Sequence, residues 1–396
     1  MSGQSTGRQM VRAKSICVVT GSRAEYGILR PLLAALAAAP DFQLQLVVTG
    51  GHLSAHHGMT VREIEADGYA IAKAVPVLGN GDSRLDVANA LAASVAGLAA
   101  AFAELAPDLV MVLGDRYEIL GAAQAALILG IPLAHLYGGE VTEGAWDEAI
   151  RHAITKMAHL HFTSADAYAS RIVQMGENPR TVHAVGSLAV DTALALPTPD
   201  PDKLAADLGL PLWDPTLLVT YHPVTCRLGS EQVAVAALLD ALDMVAGARI
   251  VITGANADAG GVAVMSALNA FAQSRRDRIT IHSSLGQVRY LGVMRHSAVV
   301  VGNSSSALIE APALGVPTVN IGDRQRGRLR APSVIDCGET REEIAAALAR
   351  ALDDDFRRIC QAQTLPYKCG DVAGAIVAVL RDTDFISLVR KPFFDL

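Results

Sequence analysis

Leu109-Val110-Met111-Val112-Leu113 runs directly into Gly114-Asp115-Arg116-Tyr117-Glu118, and a helical pattern over Glu118–Leu129 then leads to the next short run, Pro132–His135. An unbroken aliphatic run, a glycine turn and a helix form the unit of a parallel sheet covered on both faces. The same unit recurs on either side. Upstream lie a strand at Ile16–Thr20, a helix at Ile28–Ala39 with Pro31 in its first turn, a strand at Leu44–Val48 and a long Ala-rich helix at Asp86–Leu105. Proline is tolerated in a first turn because its missing N–H would have no partner there. Downstream follow a helix at Asp147–Ala158 and a strand at Thr181–Ala184.

Regularity then lapses at Ala195–Pro201, where Pro197, Pro199 and Pro201 mark a linker. A second series follows, with strands expected at Leu217–Thr220, Arg249–Thr253, Ile279–His282, Ala298–Val301 and Thr318–Ile321. The expected layout is a flexible leader at 1–14, a Rossmann-like domain at 15–192 and a linker at 193–203. A second Rossmann-like domain covers 204–375, and a tail at 376–396 packs back on the first. Two such domains imply a cleft between them, with ligands at the carboxyl ends of the strands.

The 396 residues are 51% hydrophobic, 18% charged and only 5% aromatic, so aliphatic side chains must build the cores. A net charge of −7 gives no electrostatic drive toward nucleic acid or an anionic membrane. Five dispersed cysteines without a Cys-x-x-Cys pair read as reduced thiols of a cytoplasmic protein, with neither disulfides nor a zinc site. The polar first 15 residues lack the apolar centre of a signal peptide, and no uninterrupted apolar stretch reaches the roughly 20 residues of a membrane helix.

Chemistry-bearing residues cluster after the strands. Gly302-Asn303-Ser304-Ser305-Ser306 opens a helix, where backbone N–H groups, hydroxyls and the helix dipole suit a diphosphate. Capping explains one Ser or Asn there, though not all four. Glu310, a little over a turn further on, is placed to accept ribose hydroxyls. Arg324, Arg326, Arg328 and Arg330 crowd seven residues, fitting phosphate recognition or a solvated loop. His222 stands in a Tyr-His-Pro turn at a strand end, and Gly21–Gly27 resembles a phosphate loop without matching a nucleotide motif. Asp115, Glu140, Asp147 and Glu148 are the candidate acids and bases, with Arg116 and Arg151 as charge partners. A helix start accounts equally well for Asp147 and Glu148, but not for Asp115 and Glu140 on separate loops. His52 is a candidate lining residue, whereas His56 and His57 read as solvated. His152, Lys156 and His159 share a helix without the second ligand set a metal needs.

Seven segments in one collinear order carry a family likeness: Gly21–Tyr26, Gly114–Glu118, Gly138–Thr142, Ile150–Lys156, His222–Thr225, Asn256–Gly260 and Gly302–Ser305. Together they resemble the hydrolysing UDP-N-acetylglucosamine 2-epimerases of the sialic- and legionaminic-acid pathways. The resemblance implies a two-domain GT-B fold, no metal or redox cofactor, and a homodimer or homotetramer, for which Asp86–Leu105 offers an apolar face. It implies elimination of UDP to a glycal, then hydration to the free 2-epimeric sugar. By the same resemblance Ser304, Ser305, Glu310, Arg324, Asn256 and His222 hold UDP from the second domain. Arg23 and Arg116 approach its diphosphate from the first, and Asp115 and Asp147 are acid–base residues. His222 lies near the departing β-phosphate. One departure stands out: relatives acting on UDP-N-acetylglucosamine often carry glutamate where this chain has Tyr137, a poor base with an ordinary pKa near 10. Glu140 or Glu118 then takes over proton transfer, or Asp115 and Asp147 suffice. Tyr137 is also compatible with a 2,4-diacetamido-6-deoxy sugar. The alternatives are a non-hydrolysing epimerase, a GT-B glycosyltransferase and a UDP-sugar-binding protein without catalysis.

Overall fold

The computed structural model describes residues 12–396 apart from 80, 82, 213–214, 225–230 and 255–260. Two wholly parallel sheets form two domains. The first orders its strands β3-β2-β1-β4-β5-β6-β7. These are β1 Lys14–Thr20, β2 Phe42–Thr49, β3 Ile71–Val75, β4 Leu109–Leu113, β5 Leu133–Leu136, β6 Leu160–Thr163 and β7 Val182–Ala184. The second is ordered β10-β9-β8-β11-β12-β13, from β8 Thr216–Thr220, β9 Arg249–Thr253, β10 Ile279–His282, β11 Val299–Gly302, β12 Thr318–Ile321 and β13 Val334–Cys337. Each sheet reverses its winding once, between β1 and β4 and between β8 and β11, where a doubly wound sheet opens a crevice for ligands.

The apolar run of β4 divides its side chains between two cores. Leu109, Met111 and Leu113 face one cluster with Ile16, Leu46 and Leu29, and Val110 and Val112 face another with Val19, Leu98 and Ile119. Burial on both faces is why the strand reads as continuous rather than alternating.

The first helix differs from expectation. It spans Arg23–Ala38, capped by the Ser22 hydroxyl, so Pro31 lies in its interior. An interior proline frees the carbonyl four residues back, here that of Gly27, and Gln287 Nε2 of the second domain donates to it at 2.7 Å. Three strands lacked a clear sequence signal: β3 and β13 are half-exposed edges, and β6 (Leu-His-Phe-Thr) carries a histidine.

The helix Arg84–Leu105 packs through Ala90, Ser94, Leu98, Ala101 and Phe102, and is long and apolar enough by composition to cross a membrane. The expected linker is narrower than 193–203, because helix Leu188–Ala195 runs into it and helix Pro201–Leu208, capped by Asp200, leaves it.

The chain re-enters the first domain before residue 376. Helix Val372–Asp382 places Val372, Ile376, Val377 and Leu380 in the first domain's core. Beyond it Lys391 Nζ donates to the carbonyls of Lys156 (2.5 Å) and Ala158 (2.7 Å) and pairs with the buried Glu177. Phe394 N–H donates to Gly176 O at 2.9 Å.

Candidate active site

Both switch points open onto one cavity of about 250 Å3, walled by both domains. Its first wall is organised by Arg151, which is 1% exposed and reaches inward from helix Asp147–Met157. The guanidinium contacts Asp115 at the end of β4 and donates to Glu148 Oε2 at 2.9 Å, Thr142 Oγ1 at 2.8 Å and the Glu140 carbonyl at 3.1 Å. Burial, with Arg328 nearby, works against its charge, but two carboxylates and two further acceptors hold it as a cation. Glu140 is buried with both oxygens engaged. Arg328 Nη1 pairs with one at 2.9 Å, and Ser164 Oγ donates to the other at 2.9 Å. Asp147 lines the same cavity.

Tyr137 stands in the left-handed region at φ +65, a conformation that costs a non-glycine residue about 1 kcal/mol or more. Its hydroxyl shares a hydrogen bond with Ser187 Oγ at 3.1 Å and accepts the Ala189 N–H at 3.0 Å. Burial pushes its pKa above the ordinary tyrosine value. Tyr137 lines the cavity with its hydroxyl already engaged, so its part in the site is shape and hydrogen bonding rather than proton abstraction.

The second wall carries more neutral donors than the first, beside two arginines and a glutamate. Ser304, Ser305 and Ser306 stand at the start of helix Ser306–Ala313 and line the cavity with Glu310, Arg324 and His222. Burial raises the Glu310 carboxyl to about 7, against Arg328, which favours the charged form. Tyr290, which no sequence signal picked out, shares a 2.5 Å hydrogen bond with Ser306 Oγ. Gly302 has φ +136, and a Cβ there would overlap the Thr220 carbonyl; only glycine lets β11 pass β8 so closely.

Several expected positions lie elsewhere. Asn303 is fully buried and absent from the lining: its Oδ1 accepts His222 N–H at 2.7 Å, and its Nδ2 donates to His222 O at 2.8 Å. It ties β11 to the β8 turn and so sets the place of His222 rather than meeting a ligand. His52 is also buried, bonded to Thr20 Oγ1 at 3.0 Å and Thr60 Oγ1 at 2.8 Å, and burial lowers its pKa to about 4. It is a neutral core histidine, not a lining one. Asn256 lies outside the described residues. Arg23 contacts Ser284 across the cleft, and Arg116 Nε donates to Glu118 Oε1 at 2.7 Å; both arginines line the cavity. Arg328, one of the four clustered arginines, crosses from the second domain to Glu140 and had no separate signal.

Such a cavity, with ion-paired carboxylates on one wall and hydroxyls at a helix start on the other, can hold a phosphorylated sugar while moving a proton. Comparison with known proteins agrees. A relative from Campylobacter jejuni, named GDP/UDP-N,N'-diacetylbacillosamine 2-epimerase (hydrolyzing), is 35% identical over 97% of this chain and 99% of its own. Polysialic acid biosynthesis protein P7 of Escherichia coli is 38% identical over 96% of this chain and 97% of its own. The crystal structure of Neisseria meningitidis UDP-GlcNAc 2-epimerase bound to UDP-GlcNAc superposes with TM-score 0.80 at 17% identity, over 93% of this chain and all of that one. The UDP-N-acetylglucosamine 2-epimerase family model matches residues 34–381, and this chain belongs to that family.

Proposed function

We propose that this enzyme is a hydrolysing UDP-sugar 2-epimerase of nonulosonic-acid biosynthesis, releasing UDP and the free 2-epimeric sugar. The carrying observation is Arg151, which, itself braced by Glu148, holds Asp115 at the cavity wall opposite Ser304–Ser306. In this reading Ser304, Ser305 and Arg324, with Asn256, grip UDP, and Glu310 accepts from the ribose. Arg23 and Arg116 meet the diphosphate. One carboxylate of the first wall, Asp115 or Asp147, takes the proton from C2 as the C1–O bond to UDP breaks. His222, placed by Asn303, faces the departing β-phosphate. Water then adds at C1 while a proton returns to C2 on the opposite face. Glu140 stays bound to Arg328 and Ser164 and shapes the sugar pocket.

For the sugar, we favour UDP-2,4-diacetamido-2,4,6-trideoxyglucose over UDP-N-acetylglucosamine. The cavity is lined at position 137 by a tyrosine rather than a carboxylate, and two relatives at 35% identity are named for N,N'-diacetylbacillosamine. The reading as a cytoplasmic homodimer or homotetramer, joined through Arg84–Leu105, rests on the dispersed cysteines, the resemblance and that helix's exposed alanines.

The test is turnover of both UDP-sugars in deuterated water. UDP and a free sugar carrying one deuterium at C2 is the expected outcome. An intact epimerised UDP-sugar would favour the non-hydrolysing reading, and turnover only with an added acceptor would favour a transferase. Asp115→Asn is expected to lower turnover by about a hundredfold or more while UDP still binds; unchanged turnover removes Asp115 from the reaction.

A further inference from the structure

Beside the site a larger cavity of about 630 Å3 opens between the domains, and Arg23 and Arg116 line both. In the partition between them lie two glutamates that the proposed chemistry leaves idle. Glu25, in the first turn of the first helix, and Glu118, in the first turn of helix Tyr117–Ile128, are 5% and 1% exposed. One oxygen of each is occupied: Glu25 Oε2 accepts Gly21 N–H at 2.8 Å, and Glu118 Oε1 accepts from Arg116 Nε at 2.7 Å. The other two, Glu25 Oε1 and Glu118 Oε2, are buried with no hydrogen-bond partner among the described residues. Space for Glu118 exists only because residue 21 is glycine, since a Cβ there would lie 2.6 Å from the Glu118 Cγ.

Two neighbouring buried carboxyls, only one of which contacts a guanidinium, do not readily both carry charge. Burial raises the pKa of Glu25, the charge of Glu118 raises it further, and Arg116 opposes both. Glu25 is therefore the member of the pair that burial favours protonated, while Glu118 is the one that Arg116 contacts.

We propose that Glu25 and Glu118 form a one-proton pair coupled through Arg116 to the diphosphate subsite, so that a nucleoside diphosphate draws a proton from solvent into the pair as it binds. This rests on the UDP reading above. Phosphate charge at Arg116 takes up part of the guanidinium's field, and the second carboxylate then becomes costlier to keep ionised. The surrounding charged and titratable groups are few. Arg23 and Tyr26 share the first helix, Asp115 is held by Arg151, Asp86 lines the larger cavity, and the Tyr117 ring lies against Arg116. His52, on the turn after β2, is kept neutral by burial, and His56 and His57 stand on the rim of the larger cavity.

Isothermal titration of the whole enzyme with UDP tests the coupling, run at about pH 8 (where UDP is fully ionised) in buffers of different ionisation enthalpy. Wild type is expected to take up a fraction of a proton per UDP, up to about one half, and UDP affinity is expected to weaken as pH rises from about 7 to 9. Glu25→Gln, which keeps an acceptor for Gly21, and Glu118→Gln are expected to bind UDP with uptake near zero. A His56→Gln/His57→Gln double variant should retain it. Buffer-independent binding heat in wild type overturns the proposal and leaves UDP binding intact, as does undiminished uptake in the glutamine variants. No binding of UDP by wild type would remove the UDP reading itself.

Discussion

The two walls of the cleft are made of different material. On the first-domain side Arg151 is sealed among Asp115, Glu148, Thr142 and the Glu140 carbonyl, and Arg116 is tied to Glu118. On the second-domain side Ser304–Ser306 at a helix start, with Thr220, Thr253 and Tyr290, add neutral hydroxyls beside Glu310, Arg324 and Arg328. A wall of interlocked charges is preorganised for proton movement, and it fails as a unit when one charge is removed. Neutral donors grip an anion independently, so their losses are graded.

Arg151→Met should show the contrast at its largest. Asp115 and Glu148 lose their buried counter-charge, costing about 3–5 kcal/mol of stability, and turnover should vanish. Arg151→Lys should not restore it, because an ammonium cannot reproduce the fork. Thermal unfolding and a UDP-release assay read both; near-native values for the methionine variant would break the distinction between the walls.

On the opposite wall, Ser305→Ala and Glu310→Gln should each weaken UDP binding by about tenfold or less, with turnover at saturation largely kept. Titration with UDP beside kcat and KM measures this. A collapse of kcat would mean that the second wall also acts in the chemical step.

Acid should distinguish the domains as well. Burial lowers His52 and His159 to about 4 and His135 to about 3, and all three lie in the first domain. The unfolded chain then binds protons that the folded one refuses, so stability falls as pH drops from about 6.5 toward 4. His52→Gln should flatten the fall in melting temperature between about pH 7.5 and 5.5 by an amount equivalent to about 1 kcal/mol. An unchanged slope would contradict the burial of His52 as a neutral group.

The smallest effect concerns the seam between the walls. Gln287→Ala removes the donor to the Gly27 carbonyl that Pro31 leaves open, a loss of about 1 kcal/mol or less. Adding Pro31→Ala should offset part of it, because the helix can then satisfy that carbonyl itself. A double-mutant cycle measures the coupling, and strict additivity would mean that the two residues act separately.

Much of this could be read from the chain. Strands buried on both faces, such as β1, β4 and β8, declare themselves because their central residues are consecutive apolar ones; the edges β3 and β13 carry Lys73 and Asp336 at their centres and do not. The position of the site was legible too, since strand ends followed by glycine, serine and charge are visible in sequence. The direction of a side chain was not. Asn303 and His52 have the residue types and spacing of ligand contacts, yet their polar atoms are spent on His222 and on two threonines. Nothing local marks Arg328 as the partner of Glu140, because that pair joins residues 188 positions apart in different domains. The glycines of Gly21–Gly27 suggested a loop, whereas one Ser22 hydroxyl was enough to start the helix.

The return of residues 372–394 to the first domain has a consequence for biosynthesis. Helix Val372–Asp382 completes a core whose first strand begins at Lys14, and Lys391 closes over the carbonyl end of the Asp147 helix. On the ribosome the first domain is translated early but lacks these pieces until residues 372–394 have emerged. The second domain, contiguous from the Pro201 helix to about residue 360, is complete sooner. The usual order of vectorial folding, first made and first folded, is thus reversed in this chain. Until residues 372–380 have emerged, the nascent first domain carries an open apolar groove where Val372, Ile376 and Leu380 will dock, and that groove is the surface a chaperone would meet.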